Sequence, residues 1–402
     1  MSKAQEQHSR ELEERNRVMD AEEGLSASPV TGMPVEETPE TMEAAYEAEE
    51  ARPEPMFMFM EPVLAALVFF SMIGVLVRVY LTDLFTYRKQ PIYALIWAQM
   101  IGCLVMGACM RLKGVLIHYS PALNVGITTG LCGSITTFSS WQLAVYEEFF
   151  NTNKGDHTRF KNFLGGISVL ASTMACAIGA LRFGQMAGEE LRLAYEHYLR
   201  SVNTEATPLY RINTMLLGGQ LAGRRRGWFG WDKWRFMDRA LAVAGVLAVV
   251  AAVLVVALAR STRSVSIALL FGPLGTLLRW RLASLNAPHA RLKHLTPSIL
   301  LGLPFGTFAA NVLGSATLAV IHILQTGVVV LPSAAACYVL AAVADGFCGC
   351  LTTVSTFAAE VSVLNRRRSV LYTAVSVVAT QALFILIAGI YFKTATVDYA
   401  VC

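Results

Sequence analysis

The sequence predicts an all-α membrane protein: two inverted four-helix repeats joined by a single linker transmembrane helix, nine transmembrane helices in all. Three observations carry this. Only 15% of the 402 residues are charged and 54% are hydrophobic, whereas a soluble domain is about a quarter charged. Nine apolar stretches follow residue 56, most with at least the ~18–20 residues needed to cross a bilayer core of about 30 Å. And the phrase "GFCGCLTTVSTF" at 346–357 echoes "GLCGSITTFSSW" at 130–141, with six of twelve positions identical.

Residues 1–55 hold fifteen acidic and five basic residues and no sustained apolar run. Such a segment cannot bury enough apolar surface to offset its chain entropy, which predicts a disordered, acidic cytoplasmic tail. No signal-peptide pattern precedes the first apolar run near Met56. The first repeat, 56–183, contains the stretches 62–84, 92–111, 122–150 and 163–183. A basic linker, 184–263, contains the stretch 240–259. The second repeat, 264–402, contains 264–285, 299–325, 333–360 and 370–392, the first of these interrupted by Pro273, Arg279 and Arg281.

The halves correspond in order. Gly74 and Arg78 match Gly275 and Arg279, and "AQMIG" (98–102) matches "ANVLG" (310–314), ahead of the two phrases. Four crossings return a chain to its starting side, so a directly attached copy keeps its orientation. One added crossing inverts it. The run "AVAGVLAVVAAVLVVALA" has no polar side chain, and its role reads as purely topological. Inverted repeats place functional elements near the midplane, where the halves meet.

Positive charge in short loops orients the chain. With the N-terminus cytoplasmic, the inner side receives Arg111, Lys113, Arg224–Arg226, Lys233, Arg235, Arg239, Arg291, Lys293 and Arg366–Arg368. The outer side receives Arg88, Lys89, Lys154, Arg159, Lys161, Arg260 and Arg263. This predicts N-terminus in and C-terminus out. Trp228, Trp231 and Trp234 suit an interfacial anchor or a partner-binding segment.

Each phrase lies inside an apolar stretch that would span about 40 Å as a straight helix. Gly130 and Gly133, and Gly346 and Gly349, fall near the middle of these stretches, with Thr and Ser at hand to satisfy freed backbone groups. This predicts two broken helices, whose unwound carbonyls can hold a cation such as Na⁺; the alternative is helix packing by small residues. Asn311 is costly at mid-membrane unless paired or wetted, and Thr307 shares its helix face. Tyr372, Ser376 and Thr380 form a second polar stripe at spacing four, as a pore lining or as interhelical hydrogen bonds. The first half offers Gln99 for the amide and Leu95 for Thr307. Arg78 and Arg279 suit snorkelling or a carbonyl clamp, the CxC of Cys348 and Cys350 suits close packing rather than zinc, and His322 reads as a packing residue. Glu147, Glu148 and Glu360 sit at span ends, with Asp345 the deepest acid, so no carboxylate relay of the kind proton-coupled transporters need is evident. No nucleotide loop, HExxH or Ser–His constellation appears, and no enzymatic activity is expected. OH and NH₂ donors, with aromatic ring edges, permit a small anion bound weakly enough to leave.

"GFCGCLTTVSTF", "GTFAANVLGS" and "GPLGTLLRW" resemble the motifs of the Fluc/CrcB fluoride channels, and the four-plus-one-plus-four arrangement resembles the fused fungal fluoride export proteins. The resemblance covers about 60–180 and 264–392. It implies passive export of fluoride across the plasma membrane, protecting the cell from fluoride entering as HF, by a single chain acting as a fused pseudo-dimer in the lipid bilayer. It implies a central structural Na⁺ on the backbone carbonyls of Gly133, Thr136, Gly349 and Thr352. It implies an anion path at Asn311, Thr307, Phe138, Phe357, Ser355, Tyr372, Ser376 and Thr380, with Arg78, Arg279 and Glu360 as structural residues. The family combines the first Phe of one subunit with the second Phe of the other. One pore here would then have Phe138 and Phe357, and the other Val354 and Trp141, which predicts one working and one degenerate pore. The competing expectation is an ion-coupled transporter, a fluoride/proton antiporter or a small-multidrug-type exporter.

Overall fold

The computed structural model describes residues 56–90, 92–152, 155, 158–203, 236–259, 263–286, 303–326 and 334–394. The acidic tail, the three linker tryptophans, and the charges at 154, 224–226, 233, 235, 260, 291 and 293 used in the orientation argument lie outside them. Among the described residues the protein is helical, with no strand.

Helix α1 (Met56–Phe85) leads to α2 (Leu95–Arg111), which bends by 78° into α3 (Lys113–Tyr119). Next come α4 (Pro121–Val125), a π-helical turn (Gly126–Cys132), the short α5 (Gly133–Ile135) and α6 (Phe138–Phe150). Helix α7 (Arg159–Asn203) closes the first half, and α8 (Phe236–Leu258) joins it to the second. There α9 (Arg263–Ala283) and α10 (Phe305–Thr326) precede α11 (Ala334–Ala342), a π-helical turn (Val343–Cys348) and the short α12 (Gly349–Leu351). Helices α13 (Ser355–Val363), α14 (Arg366–Phe384) and, after a further π-helical turn, α15 (Ile390–Thr394) complete the order. Among the described residues seven helices are long and apolar enough to cross a membrane, or eight if α2 and α3 form one bent span. The expected stretch 122–150 falls short because its helical pieces are 5, 7, 3 and 13 residues long.

Both breaks are present, three residues beyond the glycines that suggested them. Thr136 (φ −92°, ψ 146°) and Thr137 (φ −142°, ψ 125°) are extended, as is Thr352 (φ −93°, ψ 154°). The glycines serve close approach instead. A Cβ on Gly130 would lie 2.9 Å from the Phe70 Cβ, and one on Gly346 2.9 Å from the Phe271 Cβ. Their absence lets the broken helices press against α1 and α9.

The joining helix makes specific side-chain contacts of its own. Its Asp238 carboxylate accepts a hydrogen bond from the Ser120 hydroxyl, which itself caps α4 by accepting from the Leu123 N–H at 3.2 Å. Leu241 packs with Val63, Ala66, Leu67 and Ala122, and Ala252 with Met72, Val75 and Ala268. Helix α8 is thus docked on both repeats. Asp238 precedes the polar-free run on which the purely topological expectation rested.

Helix α7 continues about twenty residues past the stretch expected to cross the membrane. At 45 residues it is about 68 Å long. Arg192 holds its last turns together, pairing with Glu189 at 2.7 Å and with Glu196 one turn on. The main core lies where the repeats meet: Phe138, Trp141, Val145, Ala177 and Leu181 pack with Val354, Phe357, Ala358 and Tyr372.

Candidate ion path

The two breaks cap each other. The Thr136 hydroxyl accepts from the N–H groups of Val354 (3.2 Å) and Ser355 (3.0 Å) at the start of α13 and donates to the Cys132 carbonyl at 3.0 Å. The Thr352 hydroxyl does the mirror-related job for Phe138 and Ser139 at the start of α6, both at 3.1 Å, and donates to Cys348 at 3.0 Å. A helix start leaves four N–H groups without internal partners. Here each repeat supplies the other's cap, and Thr136, Thr137, Ser139, Thr352, Thr353 and Ser355 are all buried. Ser355 Oγ lies 3.1 Å from Thr136 Oγ1.

Two amides hold the junction open. Gln99 accepts from the Thr137 N–H (3.2 Å) and donates to the Thr137 carbonyl (2.7 Å). Asn311 accepts from the Thr353 N–H (2.9 Å) and donates to its carbonyl (3.4 Å). These are the matching positions found in sequence, and a Gln serves where the other repeat has an Asn. In a continuous helix the N–H of residue i+4 closes on the carbonyl of residue i. The clips withdraw that N–H from Gly133 and Gly349. The N–H groups that would close on Thr136 and Thr352 turn instead to the Thr137 and Thr353 hydroxyls, at 3.5 and 3.4 Å. The four carbonyls expected to hold Na⁺ are therefore among those whose helical partners are diverted; the carbonyls of Ser134, Ile135, Cys350 and Leu351 lose theirs to the cross-repeat caps. Uncharged oxygens freed from the ladder at a helix break are the donor type that Na⁺ takes, so the residues fit the ion.

Arg78 and Arg279 are buried and do not snorkel. Arg78 donates to the Ser134 carbonyl at 2.7 Å and to the Asp345 carbonyl of the other repeat. Arg279 donates to the Cys350 carbonyl and to the Thr129 carbonyl of the other repeat, both at 2.8 Å. A Cβ on Gly133 would meet the Arg279 guanidinium, and one on Gly349 that of Arg78. Each arginine clamps both broken helices through space that only glycine leaves.

On one side of the junction lies a polar track. At one end Glu360 accepts from the hydroxyls of Thr307 (2.5 Å) and Tyr372 (2.8 Å) and from the Asn286 amide (3.2 Å). Phe357 lies against Tyr372, with ring centroids 5.0 Å apart, and meets Phe138 edge-on at 5.3 Å and 67°. Ser376 and Thr380 follow on α14, where Thr380 and Gln381 donate to Gln142 of the first repeat at 3.4 and 3.0 Å. Thr307, Tyr372, Phe357 and Phe138 are thus linked in that order, through Glu360 and then through ring contacts. Asn311 is engaged with the backbone of the break, which leaves one N–H of its amide over.

The matching positions of the other side differ. Ala144 stands for Glu360, Leu95 for Thr307 and Ala358 for Gln142. Trp141 is fully buried and donates from its indole to the Val169 carbonyl at 3.3 Å. Ala144 opens on a cavity of about 270 Å³ that Glu147 and Asp345 also line. Sequence reasoning missed Asn286, Gln142 and Gln381, because their partners come from other helices and no spacing announces them.

A family model described as CrcB-like protein, Camphor Resistance (CrcB), matches residues 65–180 and 266–390. Fluoride export protein 1 of Candida albicans is 30% identical over 82% of this chain and 80% of its own. Fluoride export protein 1 of Saccharomyces cerevisiae is 26% identical over 83% of this chain and 94% of its own. Fluoride-specific ion channel FluC 1 of Staphylococcus aureus is 33% identical over 27% of this chain and 84% of its own. No solved structure matches.

Proposed function

Since the chain belongs to the CrcB-like family, we propose that it is a fluoride-selective channel through which F⁻ leaves the cell down its gradient, protecting it from fluoride. The observation that carries this is the track itself: OH and NH donors on either side of two phenyl rings set edge to face. A ring edge is positive and attracts an anion without the grip of a fixed cation, and conduction needs binding weak enough for exit. The working path is the one with Phe138 and Phe357. On the other side Trp141 is fully buried with its indole tied to the Val169 carbonyl, and the positions matching Thr307 and Glu360 are Leu95 and Ala144, so in this reading that pore is structural.

The architecture in this reading is four plus one plus four helices, nine spans in an inverted repeat, with domains at 56–183, 184–263 and 264–402. A single chain acts as a fused pseudo-dimer in the plasma membrane, N-terminus in and C-terminus out. The carbonyls of Gly133, Thr136, Gly349 and Thr352 would hold a structural Na⁺, which supplies fixed positive charge where the breaks meet. Gln99 and Asn311 keep the Gly133 and Gly349 carbonyls out of the helical ladder, and the Thr137 and Thr353 hydroxyls do the same for Thr136 and Thr352.

The test is fluoride efflux from liposomes holding the purified chain, read with a fluoride electrode. Efflux should follow the membrane potential and move no protons. Proton-coupled efflux would instead establish the antiporter, with Glu360, the acid on the track, as its carrier.

A further inference from the structure

Two hydrogen-bond donors on the track are buried without a partner: the Gln142 Nε2 amide and the Ser376 hydroxyl. Gln142 is fully buried and Ser376 is 1% exposed. A buried donor left unpaired costs about 1–3 kcal/mol, so the fold retains two such costs at one place. Both belong to the same local set. Thr380, one turn after Ser376 on the same face of α14, has one hydroxyl proton, which it gives mainly to the Ser376 carbonyl at 2.8 Å and shares weakly with the Gln142 side-chain oxygen at 3.4 Å. Gln381 donates both to that side-chain oxygen (3.0 Å) and to the Gln142 backbone carbonyl (2.8 Å). These bonds fix which end of the Gln142 amide is oxygen, and so leave its NH₂ end over. Among the described residues, the fourth helix of the first repeat has one buried hydroxyl without a partner, Thr173, but the residue matching Gln142 in the second copy of the phrase is Ala358.

We propose that Gln142 Nε2 and Ser376 Oγ form an anion station on the conducting path, with Gln142 contributed by the repeat opposite α14. This rests on the channel reading above. The Gln142 group is a donor and the Ser376 hydroxyl can donate, which suits a small, hard anion; the unpartnered acceptor beside them, Gln381 Oε1, belongs to the amide that positions Gln142. The station is neutral, so it holds an ion by hydrogen bonds alone, and the paired bonds from Thr380 and Gln381 keep the amide turned toward it. The conducting path thereby takes a specific residue from each repeat.

The experiment measures fluoride flux against fluoride concentration in liposomes for wild type, Gln142→Met and Ser376→Ala. Loss of a hydrogen bond to an ion should raise the half-saturating fluoride concentration roughly tenfold or more for Gln142→Met and less for Ser376→Ala. A packing role predicts an unchanged half-saturation, with any loss confined to thermal stability, and that result overturns the proposal. If Gln142→Met does not give monodisperse protein, Ser376→Ala decides alone: an unchanged half-saturation overturns the proposal. Failure of the wild type to pass fluoride would sink the channel reading instead, and is scored separately.

Discussion

Thr136 and Thr352 each satisfy two N–H groups on a helix that belongs to the other repeat. Replacing either by Val keeps the volume and removes the cap, so each change should lower stability by about 1–2 kcal/mol, measurable as an earlier thermal transition in detergent. The aromatic residues separate the two sides. Phe138→Ile and Phe357→Ile should abolish fluoride efflux, while Trp141→Phe and Val354→Ile should leave it near wild type; the reverse pattern would place conduction on the other side. Asn311 was recognisable in sequence as a polar residue that mid-membrane placement has to justify, and so was its counterpart Gln99. What each does was not recognisable, because a two-point clip on the backbone of a break depends on where the break falls. The glycines drew attention to the right dozen residues, yet the chain unwinds at the threonines. Gly130 and Gly346 serve helix contact, whereas Thr hydroxyls compete with the backbone ladder for N–H groups.

The broken helices and the joining helix make different demands. Asn311→Leu frees the Thr353 N–H to close on the Gly349 carbonyl. If Na⁺ sits on those carbonyls, wild-type protein should melt at lower temperature when Na⁺ is replaced by N-methylglucamine, and Asn311→Leu should lose that dependence. A wild-type melt indifferent to Na⁺ removes the ion from the account. For α8, Asp238→Ala leaves the Ser120 hydroxyl without its acceptor. Stability should fall by about 1 kcal/mol with efflux per folded molecule unchanged, since α8 contributes nothing to the track. The apolar run made α8 visible in the sequence. Its docking was hidden, because Asp238 stands just ahead of that run and its partner is more than a hundred residues away. Helix α7 shows the opposite limit: hydropathy ends its apolar stretch near 183, but Glu189, Arg192 and Glu196 carry the helix on.

The repeat was the most legible property of the chain, since its register is written in Gly74 and Arg78, in the amides and in the two phrases. The cross-clamping arginines could be paired by position but not assigned targets, because carbonyls leave no trace in a sequence. If the N-terminus is cytoplasmic, epitopes at the two ends should be reachable from opposite sides of the membrane, the N-terminal one only after permeabilisation. The reciprocal caps also carry a consequence for biosynthesis. Residues 138 and 139 begin α6 with N–H groups whose acceptor is made more than 210 residues later. At about 5–20 residues per second, ribosomes leave those two N–H groups without their acceptor for roughly 10–40 s. During that interval the first repeat waits in the bilayer with an unfinished polar seam, a natural point for an insertion chaperone to bind or for quality control to discard a truncated chain.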